Sequence, residues 1–397
     1  MEKASVVREI RELKNQLSYS KNTGFFFGAG TSCALSIPNI EKLTAQVKSA
    51  LKPPSNAHFG IVENDLIPVI EPRRPNIEDI LNQIRRLREL TNDSDKKYEG
   101  LSGKEAKALD KAICVQIYNI LIATEQKADL KQTKRFFAWL SILNPTFSKE
   151  IFTTNYDLVI ERSLESGHIP YFDGFVGSYE PFFWQDSIDR ITQPNDITHS
   201  WVRLWKIHGS LNWFWKEDPV SKTSTVVRLG KIDKIENEPN ELVIYPSRDK
   251  YVSSRKQPFI SYFDRLKNYL LQGELLFIVT GYSFSDQHIN EIIFNCLRNN
   301  NRLFILVFLF QDSEVTNLHT RIASYMNITV LGPTKAILNG NLCEWDFQVS
   351  DFKNPDEPFD HYWDDSTKRL KLGDFNHLVD FLIKNSGRAD AIDNIGK

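Results

Sequence analysis

Two kinds of apolar pattern alternate along the chain. Short runs at Gly24–Phe27, Ile151–Thr154, Arg203–Ile207, Leu242–Tyr245, Leu275–Thr280 and Leu303–Phe310 have the length and the aromatic or β-branched content of strands. Several are apolar throughout, as strands covered on both faces are. Between them, apolar residues recur every three or four positions, the period of an amphipathic helix. The first such stretch is N-terminal, with Val6, Val7, Ile10, Leu13 and Leu17 on one side, and a second runs over about 40–52. Strands separated by helical patterns predict an α/β fold with a Rossmann-like, doubly wound parallel sheet.

A long helical block interrupts that alternation. Asn76 is placed to cap a helix with Glu78 and Asp79 in its first turn, Arg85, Arg86 and Arg88 in its last, and Ile77, Ile80, Leu81, Ile84 and Leu87 as its apolar face. More helix is expected over about 105–124 and 132–143, with 93–103 as a polar linker. The organisation read from these patterns is an α/β domain from 1–56 and 145–335. A helical insertion occupies 57–144, and a tail at 336–397 is expected to serve contacts between subunits. The tail carries the acidic, aromatic segment DFKNPDEPFDHYWDD and a last amphipathic helix near 375–384. Residues 216–240, rich in both charges, read as an exposed loop or hairpin.

Composition narrows the function classes. The 397 residues carry 49 basic and 51 acidic side chains, a net charge of −2, so no global positive field holds nucleic acid or an anionic membrane. No direct, specific nucleic-acid binding is expected. Cys33, Cys114, Cys296 and Cys343 stand singly, without the CxxC pairs of a structural zinc or the density of a disulfide framework. A cytoplasmic protein is expected, because the charged N-terminal helix is not a signal-peptide core and the most apolar run is too short to span a bilayer.

Candidate chemistry gathers where strands end. GAGTS at 28–32, TTNYD at 153–157 and TGYSFSD at 280–286 each put small or polar residues just past a strand, where open parallel sheets bind ligands. Gly28 and Gly30 would let the backbone, with the positive end of the following helix, approach a pyrophosphate. Glycine in such a turn also has a purely conformational explanation, and Thr31 and Ser32 would serve equally as helix caps. In the third segment Gly281 clears space, Ser283 could donate to ribose or phosphate, and Ser285 or Asp286 starts the next helix. A fourth segment, LWKIHGSLNWFW, puts His208 at a strand end beside Gly209, where an imidazole can act as a general base or play a structural role. Trp201, Trp205, Trp213, Phe214 and Trp215 could form a nucleobase platform, but without a basic groove they read mostly as core or interface.

Taken in order, GAGTS with SIPN, TTNYD, HGS and GYSFSD resemble the NAD-binding motifs of the sirtuin family over about residues 20–310. The resemblance implies NAD as substrate, held by Gly28, Ala29, Gly30, Thr31, Ser32, Thr154, Asp157, Gly281, Tyr282, Ser283 and Asp286. It implies Asn155 and His208 as catalytic residues: Asn155 positions ribose and water, Asp157 meets the nicotinamide carboxamide, and His208 is the base. Tyr282 departs from the family pattern, as does Asn39-Ile40-Glu41, where sirtuins carry Asp-Phe-Arg. No zinc ribbon can be built from the four cysteines, so protein deacylation is not expected, and no metal is. Asn155 and His208 are 53 positions apart (208 − 155), more than in deacylases, which points to a reshaped acceptor side and to water as acceptor. The pattern is similar to NADases of bacterial anti-phage defence, namely Thoeris, defence-associated sirtuins and the stand-alone sirtuin that works with the hexameric HerA ATPase. That last likeness implies a homo-oligomer with a HerA-type partner. Two other classes compete: a non-catalytic scaffold that senses NAD or ADP-ribose, and the nuclease subunit of a DNA-processing complex.

Overall fold

The computed structural model describes residues 2–20, 22–143, 146–190, 200–217, 220, 224–230, 241–244, 257–352, 358–387, 389 and 392–393. Tyr245, most of the charged segment 216–240 and the centre of the acidic tail segment lie outside these residues.

Six parallel strands form the middle of a ten-stranded sheet. In chain order they are Thr23–Phe27, Lys149–Thr153, Val202–Lys206, Leu275–Thr280, Leu303–Phe308 and Ile328–Leu331. Across the sheet they run third, second, first, fourth, fifth, sixth, with Thr23–Phe27 beside Leu275–Thr280. This is the doubly wound order, and the strand sequence reverses between those two neighbours. Antiparallel strands Lys335–Leu338 and Asn341–Asp346 extend one side, and Glu2–Ser5 pairs parallel with the latter at the edge.

Alternation within the strands builds two cores. Phe26, Phe152, Trp205, Phe277 and Val279 face one way, under the helices Phe259–Leu270, Gln287–Asn299 and Asp312–Ile322. Phe25, Phe27, Ile151, Leu204 and Ile278 face the other, under Val6–Tyr19, Lys131–Ser141, Val159–Ser166 and Phe375–Asn385. With a core on each face, the central strands need no polar positions, which is why Leu275–Thr280 is buried at every residue.

The helical block consists of Ile40–Ala50, Ser55–Ile70, Ile77–Thr91 and Gly103–Glu125. Asn76 caps its helix in a reciprocal box with Asp79, and Ser102 does the same with Glu105, so exposed N–H groups are satisfied at both starts. The block has its own core, which includes Val159 and Leu211 from the sheet side and packs against Tyr156 and Leu158. It therefore rests directly on the segments that follow two of the central strands. A five-stranded antiparallel sheet continues from there, with Gly209–Glu217 between Glu241–Ile244 and Ser224–Arg228. Trp205, Trp213 and Phe214 are fully buried, so these aromatics are core rather than a stacking surface. Among the described residues, no helix is long and apolar enough to cross a membrane.

Candidate functional site

Parallel register brings the motif segments to one end of the sheet. Thr153 pairs with Lys206, and Phe27 pairs with both Thr153 and Thr280. Asn155 and His208 therefore stand two residues past paired positions on adjacent strands (155 − 153 and 208 − 206), the second and third strands on one side of the strand-order reversal. The junction is closed by hydrogen bonds from Ile207 N–H to the Thr153 carbonyl at 2.8 Å and from Thr154 N–H to the Phe27 carbonyl at 3.2 Å. Thr154 itself is half-buried there.

The turns after Thr23–Phe27 and Leu275–Thr280 lock against each other. Gly28 N–H donates to the Thr280 carbonyl at 3.0 Å, and Gly30 N–H to the Gly281 carbonyl at 2.9 Å. A Cβ on Gly28 would lie 2.3 Å from the Gly281 oxygen, and one on Gly281 would lie 2.5 Å from Thr31 N. Gly281 also has φ +66°, a conformation that disfavours side chains. The glycines are thus explained by the approach of one turn to the other, where the sequence suggested approach to a ligand. The helix after Gly28 is only Ala29–Cys33, a single turn. The expected positive helix end is correspondingly weak, because the macrodipole needs length.

Asn155 is the clasp of the first turn. Its Nδ2 donates toward the Gly28 carbonyl (3.0 Å), Thr31 Oγ1 (3.0 Å) and Ser32 Oγ (2.9 Å). A carbonyl can only accept, so Nδ2 must face Gly28, and the orientation of the amide follows. Oδ1 is the atom left to address a ligand. Ser32 passes the chain on, its hydroxyl donating to Asp157 Oδ2 at 2.6 Å. Asp157 Oδ1 accepts Val159 N–H at 3.2 Å. Thr31 bonds back to the Gly28 carbonyl at 2.9 Å, so Thr31 and Ser32 hold the turn rather than cap it.

His208 and Asp286 meet across the second turn. Nε2 of His208 lies 3.1 Å from Asp286 Oδ2, and both side chains are buried. Asp286 caps the helix Gln287–Asn299 through Oδ1, which accepts His288 N–H at 2.9 Å and Ile289 N–H at 3.3 Å. Directly after His208, Gly209 at φ +88° turns the chain into the antiparallel sheet. Tyr282 does not face the strand ends: its ring packs on Phe26 and Phe284, and its hydroxyl bonds the Asp286 carbonyl (3.2 Å) and Asn290 Oδ1 (3.0 Å). Ala29 and Ser283 are exposed at the turn surfaces, and the Ser283 hydroxyl lies 3.3 Å from Ser285 Oγ.

Beneath these residues lies a buried ionic group that the sequence reading did not single out. Lys206 Nζ bonds Glu161 Oε1 (2.8 Å), Ser210 Oγ (2.9 Å) and the Asp157 carbonyl, joining the TTNYD and HGS segments from below. Glu125, the last residue of the helix Gly103–Glu125, accepts Leu158 N–H at 2.8 Å. Burial first, and then the nearby Asp157 charge, push the Glu125 carboxyl up to about 8. The one available signal was Lys206 itself, which shares with Arg203 the distinction of being a charge inside a strand-like run. Glu125 and Glu161 look like ordinary helix-surface residues.

Other chemistry finds less support. Burial pushes the Cys33 thiol up, against a smaller downward pull from Lys42, so it is not an activated thiolate. No group of three or more His, Cys, Asp or Glu that could hold a metal ion occurs among the described residues. A cavity of about 750 Å³ between Lys131–Ser141 and the C-terminal helix is lined by Asp129, Lys131, Arg135 and Asp380, none of them a motif residue.

Residues 149–331 match the SIR2-like domain family. This match and the strand order define a sirtuin-like α/β fold with a mostly parallel central sheet. No curated protein sequence matches the chain. Solved structures with a similar course include a Sir2 homologue in complex with NAD, 16% identical over 77% of this chain and 84% of that one, with a TM-score of 0.38. Another is a Sir2 homologue mutant with ADP-ribose, 13% identical over 74% and 83%, with a TM-score of 0.37. A third is Sir2Tm bound to a propionylated peptide, 12% identical over 77% and 87%, with a TM-score of 0.35. At such identities the site must be read from this chain's own residues.

Proposed function

We propose that the chain binds NAD across the strand-order reversal and hydrolyses its nicotinamide–ribose bond. The observation that carries this reading is that an amide, Asn155, and an imidazole, His208, each follow by two residues a paired position on adjacent parallel strands. Doubly wound sheets bind dinucleotides at that crevice.

The reaction takes NAD and water to nicotinamide, ADP-ribose and a proton. The carboxamide of the leaving group is held by Asp157, whose oxygens keep lone pairs beyond those given to Ser32 and Val159. As the C–N bond breaks, positive charge spreads over the ribose. Asn155 Oδ1 orients the attacking water and the ribose hydroxyls, and His208 takes the proton as the new C–O bond forms. No step needs a metal.

The wider setting is supported by the motif resemblance alone: NAD depletion in anti-phage defence, in a homo-oligomer with a HerA-type ATPase. The deciding experiment incubates purified protein with NAD, alone and with a candidate ATPase, beside a plasmid control. Nicotinamide release supports the hydrolase. NAD that binds and stays intact supports a sensing scaffold, a reading favoured by how fully Asn155 Nδ2 is committed to the turn. Cut plasmid supports the nuclease.

A further inference from the structure

Asp286 stands at a helix start, where a short acceptor side chain has an ordinary explanation as a cap. Its geometry asks for more than that. One carboxylate oxygen takes both cap bonds, from His288 N–H and Ile289 N–H, while the other is turned to His208 Nε2 at 3.1 Å. Both side chains in the pair are buried. A carboxylate can only accept, so the hydrogen between them belongs to Nε2. In the neutral ring the proton-accepting nitrogen is then Nδ1.

We infer that Asp286 is a positioning residue that fixes the Nε2–H tautomer and the orientation of His208, the ring that takes the proton from water. Asp286 is held for this task from two directions. The helix Gln287–Asn299 fixes Oδ1, and the buried Tyr282 hydroxyl bonds the Asp286 carbonyl while leaning on Asn290. Tyr282, which the sequence suggested as a ligand contact, thereby supports the pair from inside the core. This inference rests on the hydrolase reading for its catalytic consequence, but its tautomer statement stands apart from activity.

Asp286→Asn separates capping from orientation. Asparagine caps as well as aspartate, and with its oxygen kept by His288 and Ile289 its NH2 group faces Nε2. Nε2 must then accept, the ring hydrogen moves to Nδ1, and the base is lost. With 15N-histidine labelling, His208 is assigned among the 8 histidines by comparison with His208→Ala. The expected spectrum shows Nε2 carrying the hydrogen in the parent protein and Nδ1 carrying it in Asp286→Asn. In parallel, kcat for NAD should fall about 10²- to 10⁴-fold with KM within a few-fold and the melting temperature nearly unchanged. Tyr282→Phe, which removes only the hydroxyl, should lower kcat by less. A His208 hydrogen on Nδ1 in the parent protein, or an Asp286→Asn enzyme with unchanged kcat, overturns the inference. A parent protein that leaves NAD intact while showing the expected tautomers overturns the hydrolase reading instead.

Discussion

Lys206 Nζ lies 2.8 Å from Glu161 Oε1, and both residues are sealed from solvent beneath the segments that carry Asn155 and His208. Burial pushes the Glu161 carboxyl up, opposed by Lys206, so the lysine is what makes a charge tolerable there. Removing one member of such a pair leaves an uncompensated buried charge, at a cost of about 3–5 kcal/mol. Lys206→Met is expected to lose that much stability in denaturant unfolding. Lys206→Met combined with Glu161→Gln should recover part of it, and equal stabilities for single and double variants would remove the ion pair from the account.

The interlocked turns make a steric prediction. A methyl on Gly28 would meet backbone, the Gly281 oxygen at 2.3 Å and Tyr282 Cα at 2.5 Å, rather than a side chain that could swing away. Gly28→Ala should destabilise by about 1–3 kcal/mol through forced backbone shifts, read as a lowered melting temperature. An alanine on the exposed, open Gly230 should be nearly silent by comparison.

The chain of bonds from Asn155 through Ser32 to Asp157 runs in one direction. Nδ2 of Asn155 donates to Ser32, whose hydroxyl then donates to Asp157. Asn155→Asp would set a carboxylate against the Gly28 carbonyl and force Ser32 to choose between two carboxylates. It is therefore expected to be less stable than Asn155→Ala, by about 1–3 kcal/mol, although it is the closer isostere. Comparative melting of the two variants checks the order.

Glu125 makes the folded protein less stable as pH rises. Its folded-state value, pushed up to about 8, lies above the ordinary 4.5, so between these values the folded protein holds a proton that the unfolded chain has released. The stability Glu125 contributes is full below about pH 4.5 and is lost as pH rises through about 8. One proton corresponds to a slope of at most about 1.4 kcal/mol per pH unit. Glu125→Gln keeps an acceptor for Leu158 N–H and should flatten the fall in melting temperature from pH 5 to pH 8.5, whereas parallel curves would show that Glu125 is not the group responsible.

Sequence and structure agree where pattern is local and repeated. The run Leu275–Thr280 reads as a strand with the bounds observed, and Asn76 announces the helix Ile77–Thr91 that it caps. The last helix, expected near 375–384, is Phe375–Asn385. Glu2–Ser5 could not be read this way, because the polar EKAS becomes a strand only by pairing with Cys343–Asp346, more than 300 residues away. The antiparallel sheet around Gly209–Glu217 was legible only in part: the run from Leu242 reads as a strand, but the two-residue strands Phe175–Val176 and Phe182–Phe183 at the far edge carry no period. At the site, the motif residues Asn155 and His208 were visible as residues, and the parallel register puts each just past the end of one of two neighbouring strands. What the sequence could not display was which atoms are already spent. Asn155 Nδ2 on the Gly28 turn, Tyr282 folded into the core and Asp286 shared between a helix and an imidazole all depend on contacts between distant segments.

The central claim is tested most directly by the rate at which purified protein converts NAD, compared among the parent chain, Asn155→Ala and His208→Ala at equal folded concentration. The account predicts nicotinamide and ADP-ribose in equal amounts from the parent, and rates about 10²- to 10⁴-fold lower from His208→Ala. NAD left intact by the folded parent protein, with and without the ATPase, or a His208→Ala variant as fast as the parent, would contradict it.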